Sequence, residues 1–224
     1  RRVGKTVMMR KIVDNYSGRT MMLNGEDYDT LALLENRSIA NYRHLLDGID
    51  LLAIDEAQNI PQIGSILKLI VDEIPGISVL ASGSSSFDLL NKTGEPLVGR
   101  STQFLLTPFS QREIAQTETA LETRQNLEAR LIYGSYPEVV MMENYERKTD
   151  YLRDIVGAYL LKDILAIDGL KNSSKMRDLL RLIAFQLGSE VSYDELGKQL
   201  SMSKTTVEKY LDLLEKVFVI YRLG

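Results

Sequence analysis

Lys5 and Thr6 stand behind Gly4 at the opening of an apolar segment, and together they are the residue types a bound phosphate needs. Glycine lets backbone N–H groups curl around phosphate oxygens, lysine reaches the terminal phosphates with a positive charge, and the hydroxyl ligates magnesium. A helix that follows turns its positive dipole end toward the anion. Gly-Lys-Thr is the second half of a phosphate-binding loop whose full pattern is Gly, four residues, then Gly-Lys-Ser/Thr. The first glycine of that pattern would fall before Arg1, so the sequence is expected to start inside the loop, without the strand that feeds it. A short motif of this kind also occurs in ordinary solvated turns. Its weight here comes from a second motif further along.

That motif is Leu51-Leu52-Ala53-Ile54-Asp55-Glu56. Four apolar residues bounded by Gly48 and by two carboxylates predict a strand buried on both faces of a parallel sheet, with its C-terminal end at the ligand crevice. An apolar strand ending in Asp-Glu is the Walker B arrangement of P-loop ATPases: the aspartate holds magnesium, and the glutamate accepts a proton from the attacking water. In isolation the pair also reads as acidic turn residues at a strand end. Behind a Gly-Lys-Thr helix the chemical reading is the better one.

The elements that must position these residues follow from periodicity. Thr6–Asn15, with Met8, Met9, Ile12 and Val13 at helical spacing, predicts a helix with one buried face. Arg19–Leu23 predicts a short strand, Asn24-Gly25-Glu26-Asp27 a loop, and Thr30–Glu35 and Asn41–Leu46 two short helices. Ile63, Ile66, Leu67, Ile70 and Ile74 form an amphipathic stripe that Pro75-Gly76 ends. Ile77–Ser82 predicts a second buried strand running into Gly83-Ser84-Ser85-Ser86. This alternation of strand and helix calls for a parallel sheet with helices on its faces.

Composition narrows the chemistry. The 224 residues are 44% hydrophobic and 26% charged, near the averages for globular proteins, with a net charge of −4. Zero cysteines and one histidine, His44, exclude disulfides and thiolate sites and disfavour histidine triads or zinc centres. Hydrolytic chemistry must then run on carboxylates, lysine, hydroxyls and a bound metal. No run suggests a membrane span or a leader, so the expectation is a cytoplasmic protein with no membrane partner. Asn91-Lys92-Thr93-Gly94 is a near-miss to the guanine-specifying Asn-Lys-x-Asp pattern, with Gly94 where the aspartate would pair the base.

Arg1-Arg2-Val3-Gly4-Lys5-Thr6, Asp55-Glu56-Ala57-Gln58, Gly83-Ser84-Ser85-Ser86, Leu97-Val98-Gly99-Arg100, Leu106-Thr107-Pro108-Phe109-Ser110 and Gly134-Ser135-Tyr136-Pro137-Glu138 occur in that order. Together they resemble a group of poorly characterised bacterial and archaeal AAA-type P-loop ATPases. The resemblance implies an α/β, three-layer P-loop NTPase domain with a parallel sheet over residues 1–110. An α-helical region over 111–170 and a winged helix-turn-helix over 171–224 follow it. Full-length members add a nuclease-like C-terminal domain of unknown function, which would begin beyond Gly224. ATP with Mg²⁺ is the implied ligand, favoured over GTP. Gly4, Lys5 and Thr6 would bind the nucleotide, Thr6 and Asp55 the metal, and Glu56 would act on water. By the same resemblance Ser84 would sense the γ-phosphate and Arg100 would stabilise transition-state charge, in its own chain or a neighbouring subunit. The competing reading of Arg100 is a surface arginine paired with an acidic residue such as Glu95.

Residues 111–170 read as a helical lid or packing region, with a charged amphipathic stretch over Leu121–Leu131. A longer stripe runs through Ile155, Tyr159, Leu160, Ile164 and Ile167, with Asp163 polar among them. In the last part, Met176–Leu187 predicts a helix ending at Gly188, Ser192-Tyr193-Asp194-Glu195 a capped helix through Leu200, Ser201-Met202-Ser203 a turn, and Val207, Tyr210, Leu211 and Leu214 the inner face of a third helix. Val217–Leu223 predicts a strand, which completes a winged-helix pattern. Lys204, Thr205, Thr206 and Lys209 would face DNA, whereas Glu208, Asp212 and Glu215 on the same helix would repel phosphates. Contact with another domain or subunit, a homo-oligomer included, is the alternative. The leading expectation is an ATPase that couples nucleotide state to this module. Its rivals are a nucleotide-gated switch with negligible turnover and a DNA-binding regulator with a vestigial loop.

Overall fold

Every residue of Leu51–Asp55 (β2) is buried, which requires neighbours on both edges and cover on both faces. The edges are parallel strands. Thr20–Asn24 (β1) pairs with β2 in the register Thr20 to Leu51 through Asn24 to Asp55, and Ser78–Ala81 (β3) pairs from Leu51 to Ser78 through Ile54 to Ala81. The order β1-β2-β3 places β2 at the centre. The structure, a computed structural model, describes residues 2–83, 97, 99–160 and 173–223.

Side chains alternate between the faces of a strand. Leu52 and Ile54 join the buried cluster built by Leu34 of Tyr28–Glu35 (α2), Tyr42 of Ile39–Leu45 (α3), Leu46, and Ile63, Ile66, Leu67 and Ile70 of Ile63–Glu73 (α4). Full burial of side chains this size contributes roughly 1.5–3 kcal/mol each. Leu51, Ala53 and Asp55 point to the opposite face, where Lys5–Asp14 (α1) meets β2. The result is the expected helix, sheet, helix layering. Of the apolar stripe expected to be buried on α1, Met9 is buried and Val13 partly so, while Met8 and Ile12 stay exposed.

Two helix starts are fixed by side-chain caps. Asp27 accepts the Thr30 N–H at 3.1 Å to open α2, and Ser38 accepts the Asn41 N–H at 3.1 Å to open α3. Beyond the sheet come short helices, Gln111–Ile114 (α5), Ala120–Gln125 (α6), Leu127–Tyr133 (α7) and Pro137–Met141 (α8). Ser110 with Glu113 and Thr119 with Glu122 form reciprocal capping boxes. The charged amphipathic stretch Leu121–Leu131 divides between α6 and α7.

The chain divides into two compact units, Arg1–Met141 and Met142–Gly224. The second begins with Tyr145–Asp154 (α9), which continues as a π-helical stretch, Ile155–Leu160. Asp163, Ile164 and Ile167 lie outside the described residues. Ser173–Ala184 (α10), Tyr193–Leu200 (α11) and Lys204–Lys216 (α12) then enclose Met176, Leu179, Ile183, Leu196, Val207, Tyr210, Leu211 and Leu214. Ser192 caps α11 and Ser203 caps α12, with a three-residue turn between the two helices. The strand expected over Val217–Leu223 is not formed. Phe218 turns the chain with φ of 60°, and Val217, Val219 and Ile220 lie partly buried against the three-helix core. A strand needs a partner to take its backbone hydrogen bonds, and these residues have core contacts in its place. Among the described residues no helix is long and apolar enough to cross a membrane.

Candidate nucleotide site

The site lies where α1 begins and β2 ends. Gly4, with φ of 89°, is the N-cap of α1, and its carbonyl accepts the Met8 N–H at 3.0 Å. That left-handed turn is one glycine adopts without strain. It leaves the first-turn N–H groups without intrahelical partners, the arrangement that attracts anions. Lys5 is half-buried beside them.

Thr6 donates its hydroxyl to Asp55 Oδ2 at 2.6 Å, joining helix to strand. The other carboxylate oxygen, Oδ1, accepts the Ser82 hydroxyl and the Glu56 N–H, the latter at 3.1 Å. Burial would push the Asp55 carboxyl up; the hydrogen bonds from Ser82, Thr6 and the Glu56 N–H, with the charge of Lys5, outweigh it and hold the group below its ordinary value. Asp55 is therefore a buried, ionised carboxylate at neutral pH.

Glu56 adopts a left-handed backbone, φ 48° and ψ 41°, a conformation costly for a non-glycine residue and concentrated at functional sites. It caps the 3₁₀ turn Ala57–Asn59, and its carboxylate accepts the buried Gln58 side-chain amide at 2.5 Å. The turn is held from both edges of the sheet. The Gly25 N–H donates to the Asp55 carbonyl at 2.8 Å, and the Ala57 N–H donates to the Ser82 carbonyl at 2.8 Å. Gly25 sits so close that an added Cβ would lie 2.4 Å from the Glu56 carbonyl oxygen. A cleft of about 510 Å³ opens over this cluster, lined by Thr6, Arg10, Met22, Leu23, Asn24, Glu26, Asp55 and Glu56.

The residues fit a magnesium ion. Octahedral Mg²⁺ with ligands at 2.0–2.1 Å places adjacent oxygens ~2.9 Å apart, near the Thr6–Asp55 separation. Among the described residues there is no cluster of three His, Cys, Asp or Glu side chains able to hold a metal.

Gly4, Lys5, Thr6, Asp55 and Glu56 are thus brought together. Arg100 is not with them: its Nε donates to Asp72 Oδ1 at 2.7 Å, near the C-terminal end of α4, which runs back from the site end of the sheet. Its partner is an acidic surface residue, Asp72; Glu95 lies outside the described residues. Ser84 lies outside the described residues, as does Asn91-Lys92-Thr93-Gly94. Sequence reasoning missed Ser82, which the parallel register sets beside Asp55, and it gave Gln58 no role. Two motifs noted along the sequence meet each other, and the second of them reaches the loop. The Phe109 N–H donates to the Ser135 carbonyl at 3.0 Å, and Arg2 Nη1 pairs with Glu138 Oε1 at 3.1 Å.

A parallel α/β sheet with a Gly-Lys-Thr helix meeting an Asp-Glu strand end defines a P-loop ATPase-like fold. The chain belongs to the AAA domain family, whose model matches residues 1–115. Residues 124–224 match a domain of unknown function (DUF8612). An uncharacterised protein of Mycobacterium tuberculosis is 24% identical over all of this chain and 48% of its own length. One from Haemophilus influenzae is 26% identical over 64% of this chain and 38% of its own. One from Methanocaldococcus jannaschii is 19% identical over all of this chain and 55% of its own. The chain spans about half the length, or less, of these relatives.

Proposed function

We propose that the chain binds ATP with Mg²⁺ at the junction of α1 and β2 and hydrolyses it. The observation that carries this reading is the pair of oxygens, Thr6 Oγ1 and Asp55 Oδ2, held 2.6 Å apart at the start of a helix whose first-turn N–H groups have no intrahelical partners. Magnesium, when bound, neutralises charge on the β- and γ-phosphates. Lys5 adds positive charge there, and Thr6 and Asp55 hold the metal. Glu56, kept in place by Gln58 and by its left-handed turn, orients water and accepts its proton. The test is equilibrium ATP binding with Mg²⁺ and with EDTA, followed by single-turnover hydrolysis. It is made on the chain and on a form extended upstream by the strand and glycine that the loop pattern calls for. Binding that needs Mg²⁺ and is lost in Lys5→Ala is expected. Glu56→Gln is expected to keep binding and lose turnover by at least ~10²-fold. No Mg²⁺-dependent binding in either form overturns the reading.

A second reading concerns the three-helix unit as a contact for duplex DNA, and Arg222 favours it. Its guanidinium pairs with Asp212, and with Glu215 at 3.2 Å. That sets one positive charge against two of the acidic charges on α12 that would repel phosphates; toward the other end of the helix stand Thr205, Lys209 and Lys204, the last paired with Asp194 at 3.3 Å. Duplex binding that weakens from 50 to 200 mM salt supports this reading; no shift of any duplex at low salt removes it.

A further inference from the structure

Ser82 is fixed more firmly than a residue at a strand end needs to be. Its N–H donates to the Ile54 carbonyl at 2.9 Å and its carbonyl accepts the Ala57 N–H at 2.8 Å, so the backbone of β3 is tied to β2 on both sides of Asp55-Glu56. The side chain is buried, its hydroxyl donates to Asp55 Oδ1, and its oxygen lies 3.3 Å from the Glu56 N–H. One hydroxyl thus touches both the carboxylate placed to hold the metal and the backbone of the residue placed to act on water.

We infer that Ser82 is a positioning residue that selects which Asp55 oxygen faces the metal and locks the turn that aims Glu56. This rests on the Mg·ATP reading above. With Oδ1 engaged by the Ser82 hydroxyl and the Glu56 N–H, the carboxylate cannot rotate, and Oδ2 alone is presented beside Thr6. A carboxylate held in this way loses no rotational freedom when the cation arrives. Groups behind a metal ligand typically change metal affinity or activity 10–100-fold when removed. The role differs from that expected of Ser84, because Ser82 acts through Asp55 and Glu56.

The experiment measures ATP affinity with Mg²⁺ and with EDTA, and the Mg²⁺ concentration that half-saturates the gain. Ser82→Ala is expected to leave the EDTA affinity within about twofold of the unsubstituted protein and to raise the half-saturating Mg²⁺ roughly 10–100-fold. Ser82→Thr, which keeps the hydroxyl, is expected to restore it. Ser82→Cys fills nearly the same space with a weak donor and is expected to behave like Ser82→Ala. It decides the matter if the alanine form does not fold, as judged by circular dichroism melting. An unchanged Mg²⁺ requirement in the folded Ala or Cys form overturns this inference alone. No Mg²⁺-dependent gain in the unsubstituted protein overturns both it and the reading beneath it.

Discussion

Thr6 Oγ1 donates to Asp55 Oδ2 at 2.6 Å, closing a contact between residues 49 positions apart. Two oxygens serving one cation should not behave independently. Thr6→Ala and Asp55→Asn are each expected to weaken Mg²⁺-dependent ATP binding, and the double variant to lose less than the two losses added. A coupling of about 0.5–3 kcal/mol is the range for residues in contact. Binding titrations on the four proteins measure it; simple additivity would count against a shared cation.

Gly25 bears on the same site from the other edge of the sheet. An added Cβ would lie 2.4 Å from the Glu56 carbonyl oxygen and 3.3 Å from Ile60 Cγ1, and the first of these is backbone that cannot swing aside. Gly25→Ala is therefore expected to cost about 1–3 kcal/mol in urea unfolding, the range for overpacking. Because the displaced group is the Glu56 turn, ATP turnover should fall further than ATP affinity. An alanine variant as stable as the parent would show that the turn yields easily.

The central strand and the acidic motif were legible because burial on both faces leaves a continuous apolar run, as in Leu51–Ile54, and because the acidic pair follows it directly; Ser78–Ala81, expected as a second buried strand, is a strand but only partly buried. The stripe from Ile63 to Ile70 was legible from period alone, and those residues are buried. Ser82 was not legible as a partner of Asp55, since that contact depends on the pairing of Ile54 with Ala81, and register is absent from a single sequence. The Arg100–Asp72 pair is likewise a tertiary contact between a helix end and a distant segment. Val217–Leu223 misled because a short apolar run serves equally as a strand or as a tail lying on a core. A left-handed Phe218 decides for the tail.

Acid should expose the ionised state of Asp55. Its folded pKa lies below its ordinary value of ~3.9, so its interactions stabilise the fold above about pH 4 and are lost as pH falls through the folded value. In EDTA, the unsubstituted protein is expected to be more stable than Asp55→Asn at pH 7, with the gap shrinking below pH ~4. Urea unfolding at pH 7, 5 and 3 checks the sign. A gap that is constant with pH would mean that the carboxylate charge contributes nothing to it.

In the second unit, core packing should outweigh the ion pairs on the surface. Leu214 is fully buried among the three helices, and Leu214→Ala is expected to cost roughly 2–5 kcal/mol, the loss of transfer energy plus a cavity. Arg222 joins Asp212 and Glu215 with its side chain 37% exposed, so solvent screens the pairs and Arg222→Ala is expected to cost under ~1 kcal/mol. Yet Arg222 sets one positive charge against Asp212 and Glu215 on α12. If that face meets DNA, Arg222→Ala should weaken duplex binding several-fold while leaving the melting temperature almost unchanged, and Leu214→Ala should lower the melting temperature first. Gel shifts beside thermal melts on the two variants separate these effects, and an Arg222→Ala protein that binds duplex as well as its parent removes the tail from the DNA reading.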